Sequence, residues 1–231
     1  MPSAVSSVDL NADLGEEVTA DAALLEVVTS ANVACGYHAG NAEIMRSVCE
    51  RAAALGVSVG AQVSYDDRPG FGRVAMDVDA GLLRDQVDDQ VRTLDRIAAA
   101  AGTSVRYVKP HGALYHRVLD DEQQARAVLE GSGTLPVLTM PGELARLAAQ
   151  AGRTVWTEGF PDRGYGADGR LLPRDVAGAV LDDPAAVAGR AVELAGLVDS
   201  VCVHGDNPGA VASARAVRRA LEGAGWTLRG L

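Results

Sequence analysis

The sequence predicts an α/β fold in which seven parallel strands and their connecting helices form a closed, TIM-barrel-like (β/α) barrel. Short β-branched runs alternate with amphipathic helices along the chain, and this alternation is typical of parallel strands joined by right-handed crossovers. The strands are apolar on both sides, which indicates a sheet that is covered on both faces or closed on itself. Polar residues gather at the C-terminal ends of nearly all the strands. This distribution favours a barrel over an open doubly wound sheet, where such residues concentrate near one switch point.

Seven short segments rich in β-branched residues are predicted to be the strands. In chain order they are SVDLN (7–11), SANVAC (30–35), VSVGAQV (57–63), VRYVKPH (105–111), LPVLTM (135–140), RTVWTEGF (153–160) and SVCVHG (200–205). No linker or low-complexity tract interrupts the rhythm. We therefore expect residues 1–231 to form a single (β/α)7 barrel domain.

The helices are predicted from apolar residues at 3.6-residue spacing between a cap residue and a glycine. Asn41 can cap a helix with apolar positions between 44 and 55, and Gly56 can end it. A second such pattern covers residues 83–101. Two later helices are expected where a cap residue precedes proline, at Asp183-Pro184 and at Asn207-Pro208.

Composition narrows the class of partner and the compartment. Lys and Arg number 21 against 31 Asp and Glu, a formal charge of −10, which argues against binding to nucleic acid or to anionic membranes. Small molecules or other proteins are the expected partners. The start MPSAVSSVDL has neither the basic nor the apolar region of a signal peptide, no membrane helix is indicated, and the three cysteines lack paired spacing. These features predict a cytoplasmic protein.

The residues at the strand ends form the candidate site. Lys109 is the only lysine of the chain and lies at the end of the fourth strand, and three of the four histidines also lie at strand ends. Because the C-terminal ends of barrel strands meet on one face, we expect these side chains to share a site. The strand-end set is Asp9, Asn11, Asp13, Cys35, His38, Asn41, Gln62, Lys109, His111, Glu158, His204 and Asp206.

Residue type leaves several chemistries open for this set. Lys109 can act as a base if its pKa is lowered, or it can stay charged and neutralise negative charge, which a nearby Asp13, Glu158 or Asp206 would favour. The histidines can exchange protons, or they can bind a metal ion with Asp9 or Asp13. No phosphate-binding loop of the Walker or GxGxxG type occurs.

Plainer roles are expected for some of these residues. Asp9 is expected to be a structural hydrogen-bond acceptor, His116 a loop or helix residue, and the cysteines packing residues. Two glycine-rich segments after the third and sixth strands are expected to act as lids or docking surfaces. They are SYDDRPGFGR (64–73) and PDRGYGADGRLLPRD (161–175), and they supply Arg73, Arg163 and Arg174 as candidates for binding anionic groups.

Six motifs in order along the chain resemble the LamB/YcsF family, whose members are also called the A subunits of 5-oxoprolinase. They are DLNADLGE, SANVACGYHAGN, GFGR, VKPHGALY, PDRGYGADGRLLPR and CVHGDNPGA. The resemblance implies a barrel related to glycoside hydrolase and polysaccharide deacetylase barrels. It also implies ATP-dependent opening of 5-oxo-L-proline to L-glutamate together with partner subunits B and C, with ATP and its Mg²⁺ as cofactors.

The family motifs carry over to Asp13, His38, Lys109, His111, His204 and Asp206. The resemblance suggests Lys109, His111, His204 and Asp13 as catalytic residues. The expected substrate-binding residues are Asn11, His38, Asn41, Gln62, Glu158, Asp206, Arg73 and Arg163. Two features depart from the family pattern: Gln62 stands where the family usually has histidine, and the loop after NADLGE is shorter than usual.

Two alternatives remain open at the level of sequence. One is a stand-alone metal-dependent amide hydrolase or deacetylase, in which Asp13, His38 and His204 hold a divalent ion that activates water. The other is a non-catalytic protein of a larger complex that binds a small molecule.

Overall fold

A computed structural model of the chain describes residues 6–206 and 209–231 and contains a closed ring of seven parallel strands. The strands are β1 Ser7–Leu14, β2 Ser30–Ala34, β3 Ser58–Val63, β4 Val105–Pro110, β5 Val137–Thr139, β6 Val155–Gly159 and β7 Ser200–Val203. β1 pairs with both β2 and β7, and this double pairing closes the barrel. The predicted fold class and all seven predicted strands are confirmed.

The strand boundaries differ from the prediction in one informative way. β1 extends three residues beyond the predicted end at Asn11, because Asp13 and Leu14 continue the parallel pairing with Asn32 and Val33 of β2. An additional strand was not predicted: β8 (Thr227–Leu228) pairs with the first two residues of β1. Two residues are too few to carry a periodic signal in the sequence.

Helices fill the connections between the strands. They are α1 Asp21–Leu25, α2 Ala42–Leu55, α3 Ala80–Ala100, α4 Gly112–Asp120, α5 Glu122–Gly131, α6 Glu143–Gln150, α7 Pro184–Ala195 and α8 Ala210–Gly223. Within the described ranges, no helix is long and apolar enough to cross a membrane.

The predicted helix caps are confirmed where the structure describes them. The Asn41 side chain accepts hydrogen bonds from the backbone nitrogens of Glu43 and Ile44, and α2 ends before Gly56. Asp183 caps α7 with Pro184 at its first position. The start predicted at residues 207–208 lies outside the described residues.

Side chains of β1 alternate between the hydrophobic layer and the barrel interior. Leu10, Ala12 and Leu14 are buried in the main hydrophobic cluster. Asp9, Asn11 and Asp13 point the other way and form a buried polar column with residues of the neighbouring strands. This column rises from the N-terminal end of the barrel towards its C-terminal mouth, where the site lies.

Hydrogen bonds connect the column across the barrel. Asn11 donates to Ser200 Oγ at 2.6 Å. Asn32 donates to Asn11 Oδ1 at 2.7 Å and to Asp13 Oδ1 at 2.9 Å. Tyr107 in turn donates to Asn32 at 2.6 Å. Because these buried polar groups have partners, the position of Asp13 at the mouth is fixed from below.

Candidate functional site

Lys109 projects from β4 into the barrel mouth and is held between two carboxylates. Its Nζ lies 3.2 Å from Asp13 Oδ1 and 3.0 Å from Glu158 Oε2, and its side chain is almost completely buried. Nζ also donates to Asn11 Oδ1 at 3.4 Å and to Cys202 Sγ at 3.1 Å. The sole lysine of the chain therefore sits where residues of β1, β4, β6 and β7 converge.

These neighbours keep Lys109 charged. Burial alone would lower the pKa of the ammonium group, but Asp13, Cys202 and Glu158 outweigh it and raise that pKa well above its ordinary value. For Asp13, burial raises the pKa, and the opposing charge of Lys109 brings it well below the ordinary value. The structure thus favours charge neutralisation by Lys109 over the alternative in which it acts as a neutral base.

His111 follows β4 directly and is held by two hydrogen bonds. Gln62 Nε2 lies 2.9 Å from His111 Nδ1, and His111 Nε2 lies 3.1 Å from the Phe71 carbonyl oxygen. An amide nitrogen can only donate and a carbonyl oxygen can only accept. His111 therefore accepts at Nδ1 and carries its proton on Nε2.

His38 and Glu16 lie directly behind His111. The rings of His38 and His111 stack with centroids 4.0 Å apart. Glu16 Oε1 lies 3.5 Å from His38 Nε2 and 3.5 Å from His111 Nδ1, and it accepts from Gln62 Nε2 at 2.9 Å. Burial, followed by the electrostatic effect of the neighbouring His111, lowers the pKa of His38.

His204, after β7, is oriented by Asp162. Its Nδ1 lies 2.9 and 3.0 Å from the two carboxylate oxygens of Asp162, and its backbone nitrogen donates to the same carboxylate at 2.9 Å. Burial lowers the pKa of His204, but Asp162 outweighs burial and the net shift is upward. The pair therefore favours an imidazolium at this position.

A pocket of about 280 Å³ opens above Lys109. Asp13, Lys109, His111 and His204 line its polar part, and Tyr115, Phe160 and Leu172 line its apolar part. Arg73 and Arg174 stand at its rim, and the buried Arg163 also lines it. The predicted long loop, residues 161–175, therefore forms one wall of the pocket.

The three arginines of the pocket have different partners. Arg73 pairs with Asp206 at 2.5 Å, and Arg174 lies 3.7 Å from the same carboxylate. Arg163 is largely occupied by its own loop, because it donates to the carbonyl oxygens of Ala179 and Leu172 at 3.0 and 2.7 Å. The rim combines cationic groups that could meet an anionic ligand with a carboxylate that partly neutralises them.

The predicted site residues divide into three groups by position. Asp13, Arg73, Lys109, His111, Arg163 and His204 line the pocket. Asn11, His38, Gln62 and Glu158 are buried behind these residues and support them. Asp206 pairs with the rim arginines, and Asn41 is an exposed helix cap whose side-chain oxygen is already used by α2.

Three interacting residues were not predicted from the sequence. Glu16 lies in the DLGE motif, and its acidic side chain close to Asp13 was the available signal. Asp162 and Tyr115 carried no comparable signal, since their partners are distant in sequence. His116, expected in a loop or helix, lies in α4, and Asp9 is a structural acceptor as predicted.

The residues that could hold a metal ion differ from the set expected in the alternative hypothesis. Among the described residues, one group of three potential ligands has donor atoms within 4.8 Å of one another: Glu16, His38 and His111. The expected set was Asp13, His38 and His204. His204 is instead held by Asp162, and Asp13 is paired with Lys109.

Comparisons with known proteins agree on one family. A family model described as the LamB/YcsF family matches residues 8–231. Relatives from Streptomyces avermitilis and Streptomyces coelicolor, both named as the A subunit of 5-oxoprolinase, are 54% and 52% identical over 242 residues. Each match covers 94% of this chain and 97% of the relative.

Solved structures agree with this assignment. The crystal structure of a lactam utilization protein from Thermus thermophilus is 35% identical, with a TM-score of 0.90 over 97% of this chain and 100% of that one. A T48 deacetylase, 14% identical with a TM-score of 0.55 over 98% of this chain and 88% of that one, shares the fold. From the family match and these relatives, the chain belongs to the LamB/YcsF family.

Proposed function

We propose that this chain is the A subunit of an ATP-dependent 5-oxoprolinase, which opens 5-oxo-L-proline to L-glutamate together with subunits B and C. The observation that carries the proposal is the buried Lys109 ammonium between Asp13 and Glu158 at the floor of the pocket. Relatives with about half of their residues identical are named as the A subunit of 5-oxoprolinase, which supports the substrate. The pocket of about 280 Å³ suits a small molecule.

The chemistry requires charge stabilisation at the lactam oxygen. A five-membered lactam is a stable amide, and phosphorylation of its oxygen by ATP makes the ring carbon open to attack by water. Lys109 would stabilise negative charge on that oxygen or on the transferred phosphoryl group. The ammonium is suited to this task because its neighbours keep it charged and fixed in a water-poor position.

Proton transfer would involve both walls of the pocket. Water adds to the ring carbon, the carbon–nitrogen bond breaks, and the nitrogen takes up a proton, which leaves the phosphoryl group on a carboxyl oxygen of the opened product. A second water would release it as inorganic phosphate and leave glutamate. The His204–Asp162 pair favours the protonated imidazole and is therefore the candidate acid for the leaving nitrogen. Asp13 lies on the other wall and is the candidate acceptor for the proton of the attacking water. His111 lines the same wall with both ring nitrogens already in hydrogen bonds, so it would help to shape the site.

The first test is reconstitution. We expect glutamate and ADP to be released from 5-oxo-L-proline and ATP by this chain mixed with subunits B and C, and no release by the chain alone. Absence of release from the mixture, with all three proteins folded and bound to one another, would refute the assigned substrate.

The second test replaces Lys109 in the assembled complex. We expect Lys109→Met to lower glutamate release at least about a hundredfold, because one preorganised charge-stabilising donor is lost. Lys109→Arg keeps the positive charge but changes the shape of the side chain. It serves as the control that separates the effect of the charge from the effect of the shape. Melting curves of both variants check that the barrel is intact, and turnover above about a tenth of wild type in a folded Lys109→Met complex would contradict the role.

A further inference from the structure

We propose that Glu16, His38, Gln62 and His111, here called the histidine cluster, form a binding site for one divalent metal ion of the zinc class. The cluster adjoins the pocket through His111, which lines it, and the Lys109 nitrogen is not among the donor atoms of the cluster. Glu16 Oε1, His38 Nε2 and His111 Nδ1 all lie within 4.8 Å of one another, and all three residues are buried.

The first supporting observation is an unsatisfied nitrogen. His38 is 1% exposed and its Nε2 has no hydrogen-bond partner, although it faces Glu16 Oε1 at 3.5 Å. Its other nitrogen, Nδ1, lies 2.9 Å from Ser64 Oγ, and this contact fixes the direction of the ring. A buried polar atom without a partner is costly, and a metal ion at this point would satisfy it. A second contact that orients the ring is also what a metal-binding histidine usually has.

The second observation concerns Gln62. Its Nε2 lies 2.9 Å from both Glu16 Oε1 and His111 Nδ1, so the amide nitrogen stands among the donor atoms of the cluster. Its Oε1 is buried without a partner. A half-turn of the amide would direct this oxygen towards the same point. The NH₂ group of Gln62 thus occupies the position that a cation would take, and the Gln62 side-chain oxygen can serve as a fourth ligand.

The donor set determines the class of metal. Two imidazole nitrogens, one carboxylate oxygen and one amide oxygen suit Zn²⁺ and neighbouring transition metals better than Ca²⁺ or Mg²⁺, which prefer oxygen ligands alone. The carboxylate of Glu16 provides one negative charge within the cluster, and Asp13 Oδ2 provides another 3.9 Å from His111 Nδ1. Asp13 also stands between the cluster and the Lys109 ammonium, which reduces their repulsion.

The surroundings indicate a closed site. The ring of Phe71 packs edge-on against His38 and His111, with centroid distances of 5.7 and 5.6 Å. A side chain at Gly72 would bring its Cβ within 2.9 Å of the His38 Cβ, so only glycine lets the loop come this close. Closed metal sites with protein ligands in every position contribute to folding. We therefore infer a structural role, in which the ion holds the ends of β1, β2, β3 and β4 together.

The test measures metal content and thermal stability, so its outcome is independent of the proposed reaction. Tag-free protein is stripped with a chelator, loaded with Zn²⁺, desalted and analysed for bound metal. We expect about one zinc ion per chain and a melting temperature higher than that of the stripped protein. Loading with Co²⁺ should give visible absorption bands of a site with imidazole ligands.

Matched variants locate the ion. His38→Gln and Glu16→Gln each remove one ligand and should lose the bound zinc and the rise in melting temperature. His116→Gln makes the same change at a histidine outside the cluster and should retain both. If one of the two cluster variants does not fold, the other is compared with wild type. The measurements on wild type and His116→Gln do not depend on either cluster variant.

The proposal is overturned by any of three results. They are wild-type protein without stoichiometric zinc and without a change in melting temperature, full zinc retention by folded His38→Gln or Glu16→Gln, and loss of zinc in His116→Gln.

Discussion

Lys109 shows how one side chain acquires its chemistry from residues that are distant in sequence. The ammonium would lose its charge more readily in an apolar interior, yet Asp13 of β1 and Glu158 of β6 stand within 3.2 Å of it. Removing one of these carboxylates would leave a buried charge with less compensation. The charge state of the site is therefore a property of the group and not of the lysine alone.

His204 and Asp162 provide a direct measurement at the same scale. Asp162 raises the pKa of His204 against the effect of burial, so we expect the wild-type imidazole to titrate above its ordinary value of about 6.5. In Asp162→Asn, burial remains and the opposing charge is gone, so the pKa should fall below the wild-type value. Titration of the histidine ring signals by NMR measures both.

The upward shift in the pKa of His204 determines how the free energy of unfolding depends on pH. The contribution of the His204–Asp162 pair to the free energy of unfolding is fully present below the unfolded pKa of histidine. It is lost as pH rises through the higher folded pKa. Asp175→Asn, at an exposed position of the same loop, is the control and should leave the His204 titration unchanged. An identical His204 pKa in wild type and Asp162→Asn would contradict the pairing.

At the scale of elements, the turn from β4 into α4 and the loop after β3 depend on each other. Ala113 donates its backbone hydrogen to the Gly72 carbonyl oxygen at 2.8 Å, and His111 donates its own to Val63 at 2.8 Å. Gly112 has φ of +58°, and a Cβ there would lie 2.3 Å from the Gly72 oxygen. The close approach of these two backbones places His111 against Phe71.

Gly112→Ala tests this contact. We expect a loss of about 3 kcal/mol in the free energy of unfolding, from left-handed backbone strain together with a clash against backbone. Gly133→Ala is the matched control, because Gly133 has φ of +61° but no atom within 4 Å of a Cβ. It should cost about 1 kcal/mol. Equal losses in urea unfolding would show that the contact with Gly72 contributes nothing.

At the scale of the whole molecule, the closure of the barrel depends on polar contacts at its N-terminal end. Asp9 of β1 accepts from Thr29 at 2.7 Å, from Ser30 of β2 at 2.6 Å, and also from Ser200 of β7. One carboxyl group thus joins the three strands at which the ring closes. Burial raises the pKa of Asp9 to about 6, although these hydrogen bonds oppose the shift.

This shift predicts how the stability of the barrel depends on pH. Between about pH 4 and pH 6 folded Asp9 holds a proton that the unfolded chain has released, so its contribution to stability falls as pH rises through this range. The whole change is on the order of 3 kcal/mol. Asn at position 9 cannot titrate. The stability advantage of wild type over Asp9→Asn should therefore shrink or reverse from pH 4 to pH 6.

The control for this comparison is Asp95→Asn, which changes an exposed carboxylate on α3. Its stability relative to wild type should be nearly constant over the same range. A constant difference for Asp9→Asn as well would mean that Asp9 titrates at the same pH in the folded and unfolded chain.

The sequence by itself determined the seven strands, the caps of α2 and α7 and the face on which the site lies. These features depend on local periodicity, on cap residues and on the rule that parallel strands end on the same side. Lys109, His111, His204 and Asp13 could therefore be predicted as neighbours. Their partners could not be predicted in the same way.

Only the tertiary structure decided which side chains touch. Asp162 meets His204 because the loop after β6 folds back over the barrel, and Glu16 meets His38 and His111 because the chain turns inward after β1. Such contacts depend on loop paths and on the rotation of strands around the barrel, and neither leaves a periodic signal in the sequence. The charge of Lys109, the tautomer of His111 and the donor atoms of the histidine cluster all depend on this arrangement, because each is set by groups brought together by barrel closure.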